Sequence, residues 1–471
     1  MVRSVVFMSK LMRPSFDQDL IDRHGGPGPS YTSYPTTLQF SDDYGAEGYK
    51  RAMAESNSLP IPSDLSLYVH VPFCTSPCFY CACNRVVTRS NSIGDHFLDT
   101  LELELGLVAP RIDADRKVEQ LHLGGGTPTF LSVQQLGRLT DSLRRHFSFS
   151  YDAELSLEID PRTIRPGDVL DLHAMGYNRI SIGVQDLEPD VQKAVNRVHD
   201  LSMVSGIYDA ARAVGFDSVN MDLIYGLPLQ TTAGFARTIE SVIKMRPDRI
   251  ALFNYAHLPH VFKAQRQIAE EQIPTPATRL AIFRNSLMRL LDAGYEFIGM
   301  DHFALPNDSL VKARQDGTLA RNFQGYSTHV GLDLLSFGPS AISQVGDSFA
   351  QNTRDLDAWT IALKDKRLPT VRGLERNTDD RLRSEIIEQI MCQGQLDHRE
   401  IGRFFELHFD RYFETELAAL DAMATDGLLV RNPNGFKVTP SGLLFLRAIA
   451  KQFDAYLGPV AENSHRFSRI V

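Results

Sequence analysis

Apolar residues follow two alternating patterns along the chain from Leu65 onward. Short runs rich in β-branched and aliphatic residues alternate with longer segments whose apolar positions have helical spacing. Six short runs are predicted strands: "LSLYVHVP", "VEQLHL", "AELSLEID", "RISIGVQD", "SVNMDLIYG" and "RIALFNYAH". Predicted helices between them include "IGDHFLDTLELELGLVAPRI", "SVQQLGRLTDSLRRHF" and "TTAGFARTIESVIKM", with Ser132 as the N-cap of the second.

Six alternating units predict an α/β fold with a parallel sheet and right-handed crossovers, closed in part into a (β/α)6 TIM-like barrel. An open Rossmann-like sheet is the alternative, but no predicted strand is followed by a G-x-G-x-x-G turn. A helix–strand pair at about 276–303 and the run "LDLLSFGPSAIS" extend the same layer. We therefore assign residues 63–345 to the partial barrel and residues 346–373 to a linker.

The two ends of the chain have different patterns. Residues 1–62 are rich in Gly, Pro, Ser and Tyr, which predicts an arm covering the active site, with at most one helix near 44–55. Residues 374–471 contain three helical patterns, "LRSEIIEQIMCQ", "HREIGRFFELHF" and "LAALDAMATDGLL". The run "LVRNPNGFKVT" then predicts a hairpin that turns at Asn434-Gly435. Three helices and a hairpin predict a winged-helix-like C-terminal domain.

Composition excludes several functional classes. The net charge of -9 argues against broad binding to nucleic acid or to an anionic membrane. The stretch 397–430 holds eight Asp and Glu against three Arg, the opposite of a DNA-binding surface. No run approaches the roughly 18 apolar residues of a membrane helix, and the first apolar run is too short for a secretory signal. With five cysteines, the chain is expected to be reduced and cytoplasmic.

Four of the five cysteines lie within ten residues, in "YVHVPFCTSPCFYCACNRV". Cys74, Cys78 and Cys81 form C-x3-C-x2-C, and thiolates at this spacing can bind three irons of a 4Fe–4S cluster. The fourth iron would stay open for a substrate or cofactor, although Cys83 is close enough to be a fourth ligand. Zinc bound by these three cysteines and His70, or thiols with a purely structural role, are the alternatives. The fifth cysteine, Cys392, is predicted to be buried in the core.

Polar residues and glycines stand at matching positions of the six predicted strands. They are Cys74 after the first strand, 124–127 after the second, Glu158 and Gln185 at the ends of the third and fourth, Asp222 within the fifth, and Ala256 and His257 at the end of the sixth. The carboxyl ends of barrel strands share one site, so these residues are expected to meet. Tyr68 and His70 share one face of the first strand and should point to the barrel mouth, or form a hydrogen-bonded core pair.

The C-x3-C-x2-C motif after the first strand resembles the radical S-adenosylmethionine (SAM) family. The longer pattern resembles the oxygen-independent coproporphyrinogen III oxidases within it, over nearly the whole chain from about Phe16. The motifs that carry this resemblance are "GPSYTSYPT", "LHLGGGTPTFL", "LSLEIDPR", "GVQDL", "VNRVHD", "MDLIYGLP", "FNYAHLP", "GMDHFA", "NFQGYST" and "FSRIV". The resemblance implies a cluster on Cys74, Cys78 and Cys81, and oxidative decarboxylation of two propionates of coproporphyrinogen III to vinyl groups.

The resemblance also implies roles for individual residues. It places Tyr68, Gly125, Glu158 and Ile342 around the SAM molecule on the cluster. It places a second SAM-sized site at Tyr80, Gly126, Thr127, Gln185, Arg197, Asp222 and Ala256. The candidate catalytic residues are Tyr68, His70, Asp222 and Gln324. The expected partners are a tetrapyrrole substrate and a flavodoxin-type or NAD(P)H-linked electron donor, with no nucleic acid or membrane, and the protein is expected to be a monomer.

Four positions depart from the pattern of these oxidases. They are Ser30, Ala82, Leu305 and Pro339, and at Ser30 and Leu305 an arginine is usual. Lost cations would weaken binding of propionates, for which Lys312, Arg314 and Arg321 are the candidate partners. Two other functions therefore stay open. One is a haem or tetrapyrrole carrier without decarboxylase activity, and the other is a zinc-containing interaction protein.

Overall fold

Twelve strands form one mixed sheet in the computed structural model, which describes residues 13–14, 16–457 and 469–470. The six predicted strands make its centre: β1 (Leu65–Val71), β2 (Lys117–Gly125), β3 (Ser148–Ile159), β4 (Arg179–Gln185), β5 (Ser218–Tyr225) and β6 (Arg249–Asn254). They pair side by side in chain order, and every pair is parallel. This order confirms the predicted α/β fold with a central parallel sheet.

Six further strands widen the sheet on both sides: β7 (Glu296–Gly299), β8 (His302–Ala304), β9 (Asp333–Phe337), β10 (Ile342–Val345), β11 (Ser348–Asn352) and β12 (Thr370–Glu375). The spatial order is β12-β11-β10-β9-β1-β2-β3-β4-β5-β6-β8-β7. Strand β9 is parallel to β1, whereas β10 to β12 and β8 with β7 are antiparallel to their neighbours. Within the described residues the outer strands β12 and β7 do not pair with each other, so the barrel is partial.

Helices cover the outer face of the parallel strands. The α-helices are Gln18–His24, Gly45–Asn57, Ser92–Val108, Val133–His146, Pro166–Ala174, Pro189–Ala194, Leu201–Val214, Thr232–Met245, Pro276–Asp292, Ser309–Asp316, Leu356–Lys364, Thr378–Glu388, His398–Phe404, Phe409–Tyr412, Glu414–Thr425 and Leu446–Lys451. The N-cap prediction for Ser132 is confirmed, because its hydroxyl accepts from the Gln135 N–H and the Gln135 side chain bonds back. Alternate residues of β1 pack into the core, which leaves the Tyr68 face toward the barrel interior.

The arm contains more regular structure than we expect from its composition. Besides Gly45–Asn57, residues Gln18–His24 form a helix, so the prediction of at most one helix is wrong. Asp17 caps this helix by accepting from the N–H of Asp19, and Leu20 and Ile21 are buried. The short helix is hidden in the sequence because glycine and proline follow it directly. Residues 1–12 and 15 of the predicted arm lie outside the described residues.

The segment 346–373, for which we predict a linker, joins the sheet instead. It forms β11, the helix Leu356–Lys364 and the start of β12, and the linker prediction is wrong. Every residue of β11 is buried, although Gln351 and Asn352 are polar. Their amides are hydrogen-bonded: Gln351 accepts from Arg372 of β12, and Asn352 donates to Glu104 of the helix Ser92–Val108. Buried polar residues therefore conceal the strand pattern in the sequence.

In the described residues, the C-terminal region combines five α-helices with a small three-stranded sheet. Its strands are β13 (Gln395–Asp397), β14 (Leu429–Asn432) and β15 (Gly435–Val438), and β15 lies in the middle. Asn432 pairs with Gly435, so the hairpin turns at Pro433-Asn434 and the prediction of Asn434-Gly435 is wrong by one residue. A Cβ at position 435 would overlap the Leu396 carbonyl oxygen, which explains the glycine. Cys392 is buried, as predicted, and no described helix is long and apolar enough to cross a membrane.

Candidate active site

The four clustered cysteines line one cavity of about 150 Å³ at the carboxyl ends of the parallel strands. The loop that carries them follows β1. The other predicted site residues that line this cavity are Tyr80, Gly125, Gly126, Thr127, Glu158, Gln185, Arg197 and Asp222. The structure thus brings together the cysteine loop after β1 and residues of the four strands β2 to β5, which are far apart in the sequence.

Protein contacts fix the conformation of the cysteine loop. The Arg85 guanidinium donates to the carbonyl oxygens of Cys78 and Cys81, each at 3.1 Å. The Asn196 amide donates to the Pro77 carbonyl at 2.7 Å. These three bonds hold the loop backbone at Pro77, Cys78 and Cys81. Arg85 and Asn196 therefore help to set the conformation of the loop.

Cys78 lies against a buried cluster of charged side chains. Arg162 Nη2 is 3.4 Å and Arg197 Nη1 is 3.5 Å from the Cys78 sulfur. Both guanidinium groups also donate to Asp160, at 2.6 and 3.1 Å. Burial alone would raise the pKa of Asp160, but Arg197 and Arg162 hold that pKa well below its usual range. Both terminal nitrogens of Arg197 are therefore engaged on the cysteine side of the cavity, whereas its buried Nε has no hydrogen-bond partner among the described residues.

Sequence reasoning missed Asp160 and Arg162. The available signal was their position directly after a predicted strand that already supplies Glu158, in "EIDPR". A charged pair at a strand end is also typical of an ordinary turn, and the sequence does not distinguish the two.

The thiols differ in acidity. A hydrogen bond from the Cys83 thiol, with help from the positive charge of Arg85, lowers the pKa of Cys81 to about 6. Burial and the neighbouring Cys81 and Cys78 raise the pKa of Cys74 to about 12. Close thiols disfavour a second and third negative charge, so three thiolates require a cationic partner such as iron. This donor set fits an iron–sulfur cluster.

Glycines let the β2 turn approach the cysteine loop. Gly125 has φ of +118°, and a Cβ there would lie 2.7 Å from the Val71 carbonyl oxygen. A Cβ at Gly126 would lie 2.6 Å from the Phe73 carbonyl oxygen. The N–H groups of Gly126 and Thr127 donate to those same carbonyls. The turn therefore needs glycine for close backbone packing against the strand that leads to Cys74.

Tyr68 and His70 form a hydrogen-bonded pair beside a second cavity of about 270 Å³, which Glu158, Gln324 and Ile342 also line. His70 Nε2 lies 2.8 Å from the Asn84 carbonyl oxygen, which can only accept, so Nε2 carries the proton. Nδ1 then accepts from the Tyr68 hydroxyl at 3.2 Å. Burial lowers the pKa of His70, which keeps the ring neutral in this arrangement.

Asp222 connects the cysteine cavity to a third cavity of about 280 Å³ within the barrel. Its carboxylate accepts from Ser181 and Asn220, each at 2.7 Å. Burial and the nearby charge of Glu158 raise the pKa of Asp222 to about 6. Glu158 lines all three cavities, and Gln324 lines the second and third. The three spaces are therefore adjoining compartments of one interior.

Some predicted residues lie elsewhere. Ala256 lines a separate cavity of about 520 Å³. Gln265 links the two places, since its amide donates to the carbonyls of both Ala256 and Tyr80. Of the three cations predicted to bind propionates, Arg314 pairs with Glu296, Lys312 is exposed, and Arg321 donates to the Ser30 carbonyl. None of the three lines the cysteine cavity or its two neighbouring compartments.

The zinc alternative finds little support in the side-chain arrangement. Among the residues that the structure describes, no group of three or more His, Cys, Asp or Glu is placed to hold a single metal ion. Both ring nitrogens of His70, the proposed fourth ligand, are already hydrogen-bonded.

Comparison with known proteins identifies the family. Residues 68–242 match the radical SAM superfamily, and residues 377–445 match the HemN C-terminal domain. The chain is similar to the oxygen-independent coproporphyrinogen III oxidase of Escherichia coli, with 45% identity over 97% of this chain and 98% of that protein. The Pseudomonas aeruginosa enzyme of the same name is 44% identical over 97% of this chain and 99% of its own length.

The fold is also similar to a solved structure. Coproporphyrinogen III oxidase (HemN) from Escherichia coli, described as a radical SAM enzyme, superposes with a TM-score of 0.90 at 43% identity. The match covers 94% of this chain and 100% of that one.

Proposed function

The chain belongs to the family of oxygen-independent coproporphyrinogen III oxidases, and from this premise we propose that it converts coproporphyrinogen III to protoporphyrinogen IX in porphyrin biosynthesis. Each of two propionate side chains would lose carbon dioxide, one hydrogen atom and one electron to become a vinyl group. The observation that carries the proposal is the single cavity shared by Cys74, Cys78, Cys81 and the polar residues at the strand ends.

Three cysteines would hold the cofactor cluster. Cys74, Cys78 and Cys81 would bind three irons of a 4Fe–4S cluster, and the fourth iron would bind SAM. When bound, the cluster and SAM supply a carbon-centred radical that removes a hydrogen atom from the substrate. The protein must bind and orient both molecules and keep water away from them. Cys83 is exposed and donates its thiol hydrogen bond to Cys81, which supports a role beside the cluster.

The residues around the first SAM position have complementary donors and acceptors. Because the Tyr68 proton is donated to His70, the Tyr68 oxygen is available to accept from a ligand amino group. Burial, with the charges of Glu158 and Cys83, raises the pKa of Tyr68 well above its usual value, so the hydroxyl stays protonated. Glu158 can accept from ribose hydroxyls. Ile342 lines the same cavity as Tyr68 and Glu158 and gives it an apolar wall.

The residues assigned to the second SAM-sized position do not all line one cavity. Tyr80, Gly126, Thr127, Gln185 and Asp222 line the cysteine cavity together, which supports this position. Arg197 lines it as well, but its guanidinium is bonded to Asp160, Cys78 and the Gly183 carbonyl. Ala256 would join through the Gln265 bridge. Two propionates react per substrate, so a second SAM molecule is chemically sensible.

The substrate would occupy the compartments next to Asp222 and Gln324. Ionised Asp222 can accept hydrogen bonds from pyrrole N–H groups. The Gln324 amide nitrogen is buried and has no hydrogen-bond partner among the described residues, so it can serve a ligand once the site closes. The electron donor, of flavodoxin type or linked to NAD(P)H, the monomeric state and the cytoplasmic location belong to the same proposal. Reduced thiols, which a cluster needs, support that location.

The test is anaerobic reconstitution with iron, sulfide, reductant and SAM. The intact protein should bind iron, cleave SAM and form protoporphyrinogen, detected by porphyrin fluorescence after oxidation. Cys74→Ala, Cys78→Ala and Cys81→Ala should each lose iron and SAM cleavage. Cys392→Ala, which removes a buried thiol of the C-terminal region, is the matched control and should keep both. Survival of both activities in any of the first three variants would refute the proposal.

A tetrapyrrole carrier is the second candidate, and the two positions where an arginine is usual, Ser30 and Leu305, favour it. Leu305 packs partly buried against the core, and Ser30 offers only its backbone carbonyl to Arg321, so neither supplies a cation. A carrier would bind haem or porphyrinogen tightly and cleave SAM without vinyl formation. Product analysis in the same reconstitution separates the two functions.

A further inference from the structure

We propose that Arg162 is a positioning residue for the iron–sulfur cluster: with Arg197 it donates hydrogen bonds to the Cys78 sulfur and thereby raises the reduction potential of the cluster. The inference rests on the proposed function, because it takes Cys78 as a cluster ligand. It adds a residue that contacts neither SAM nor substrate in that proposal.

The geometry singles out one of the three ligand cysteines. Arg162 and Arg197 place guanidinium N–H groups 3.4 and 3.5 Å from the Cys78 sulfur, within hydrogen-bond distance for sulfur. In the described part of the chain, no arginine donates to the sulfur of Cys74 or Cys81. Cys78 is 8% exposed, so water screens these two contacts only slightly.

Asp160 holds both arginines in place. It accepts from Arg162 through Nε at 2.9 Å and Nη2 at 2.6 Å, a two-point contact that fixes the guanidinium plane. It also accepts from Arg197 at 3.1 Å, and Arg197 donates to the Gly183 carbonyl at 2.6 Å. One carboxylate faces two guanidinium groups, so one positive charge remains uncompensated beside Cys78. Neither arginine can turn away without breaking these bonds.

The direction of the effect follows from charge. One-electron reduction adds one negative charge to the cluster and its thiolates. A cationic donor to a ligand sulfur stabilises this added charge, and hydrogen bonds to the sulfurs are known to set cluster potentials. A purely structural ion-pair network would instead affect folding or cluster content and leave the potential of a loaded cluster unchanged.

The experiment is a redox titration of reconstituted protein with dithionite and mediators, followed by electron paramagnetic resonance of the reduced cluster. Iron and sulfide content are measured first, so that only fully loaded protein is compared. Arg162→Met should lower the equilibrium constant for one-electron reduction at least tenfold, which corresponds to about 59 mV for a one-electron couple. Arg162→Lys should lie between Arg162→Met and the intact protein, because lysine keeps the charge but loses the planar fork.

Arg138→Met is the matched control. Arg138 is a partly exposed arginine of the helix Val133–His146 and pairs with Asp99, so its loss should leave the midpoint unchanged. A fully loaded Arg162→Met protein with the midpoint of the intact protein overturns the inference. If Arg162→Met takes up no iron, the inference is tested on fully loaded Arg162→Lys protein. A cluster midpoint potential in Arg162→Lys equal to that of the intact protein overturns the inference as well. Absence of a 4Fe–4S cluster from the intact protein refutes the proposed function instead.

Discussion

At the scale of single residues, burial decides which groups of the site carry charge. His70 stays neutral and commits its Nδ1 to the Tyr68 proton, so the pair presents one oxygen that can only accept from a ligand. Asp160 stays ionised because two arginines surround it, whereas Asp222 has only neutral donors and a neighbouring carboxylate. These two aspartates, which follow β3 and lie in β5 with β4 between them, thus differ in the pH at which they ionise, with opposite consequences for stability.

The raised pKa of Asp222 predicts a pH-dependent cost to stability. The pKa rises from 3.8 to about 6 on folding, so the folded state holds the proton more tightly than the unfolded state. Stability is therefore lost as the pH rises from about 4 through 6, by about 3 kcal/mol at most. In Asp222→Asn the amide can accept from Asn220 and donate to Ser181, so the variant should be more stable than the intact protein at pH 8 and similar at pH 4.5. Urea denaturation at both pH values measures this.

The control for this prediction is Asp99→Asn, which alters an exposed carboxylate and should shift stability little at either pH. Asp222→Asn should also lose most product formation. Equal stability loss at both pH values would contradict the burial argument.

At the scale of elements, the sequence predicts what depends on periodicity and misses what depends on single long side chains. The six parallel strands follow from alternating runs, and their shared edge gathers the cysteine loop, the glycine turn and Glu158 because parallel strands end on one side. Gln265 lies in a short 3-10 segment, Lys263–Gln267, with no periodic pattern, yet it joins Tyr80 to Ala256. The sequence does not predict strand β11 for a similar reason. The buried amides of this strand form hydrogen bonds with residues that are distant in the sequence, Glu104 and Arg372.

The cysteine loop should depend on Arg85 for its shape. Arg85→Met removes two hydrogen bonds to the carbonyls of Cys78 and Cys81, each worth about 1.5–3 kcal/mol with a charged donor. We expect faster iron release to a chelator, with little change in the unfolding midpoint of the barrel, because the loop lies outside the main core. Absorbance of the iron–chelator complex over time measures the release. The control is Arg89→Met, because Arg89 is an exposed arginine four residues after Arg85. This variant should release iron at the rate of the intact protein.

At the scale of the whole molecule, the arm and the C-terminal region close around the barrel through polar contacts. Tyr31 donates to Asp454, Tyr34 accepts from the Ala455 N–H, and His24 contacts Asp426. Pro27 forms an isolated bridge with Arg469 near the end of the chain. Arm and C-terminal region are far apart in sequence, and they meet through individual hydrogen bonds and ring contacts, such as His24 with Phe445, that follow no repeating pattern. Their docking could not be predicted from hydrophobic spacing.

Tyr31→Phe tests this docking. Tyr31 is 5% exposed, and the substitution leaves one oxygen of the Asp454 carboxylate without its buried donor, at a cost of about 1–3 kcal/mol. Because the lost bond joins the arm to the C-terminal region, we expect the arm to open more often and trypsin to cleave faster after Arg23, whose side chain is half exposed. Mass spectrometry of timed digests measures the cleavage. Tyr151→Phe removes a fully exposed hydroxyl and should be digested like the intact protein. Equal cleavage rates in Tyr31→Phe and Tyr151→Phe would show that the arm is held by packing alone, since phenylalanine keeps every apolar contact of the tyrosine ring.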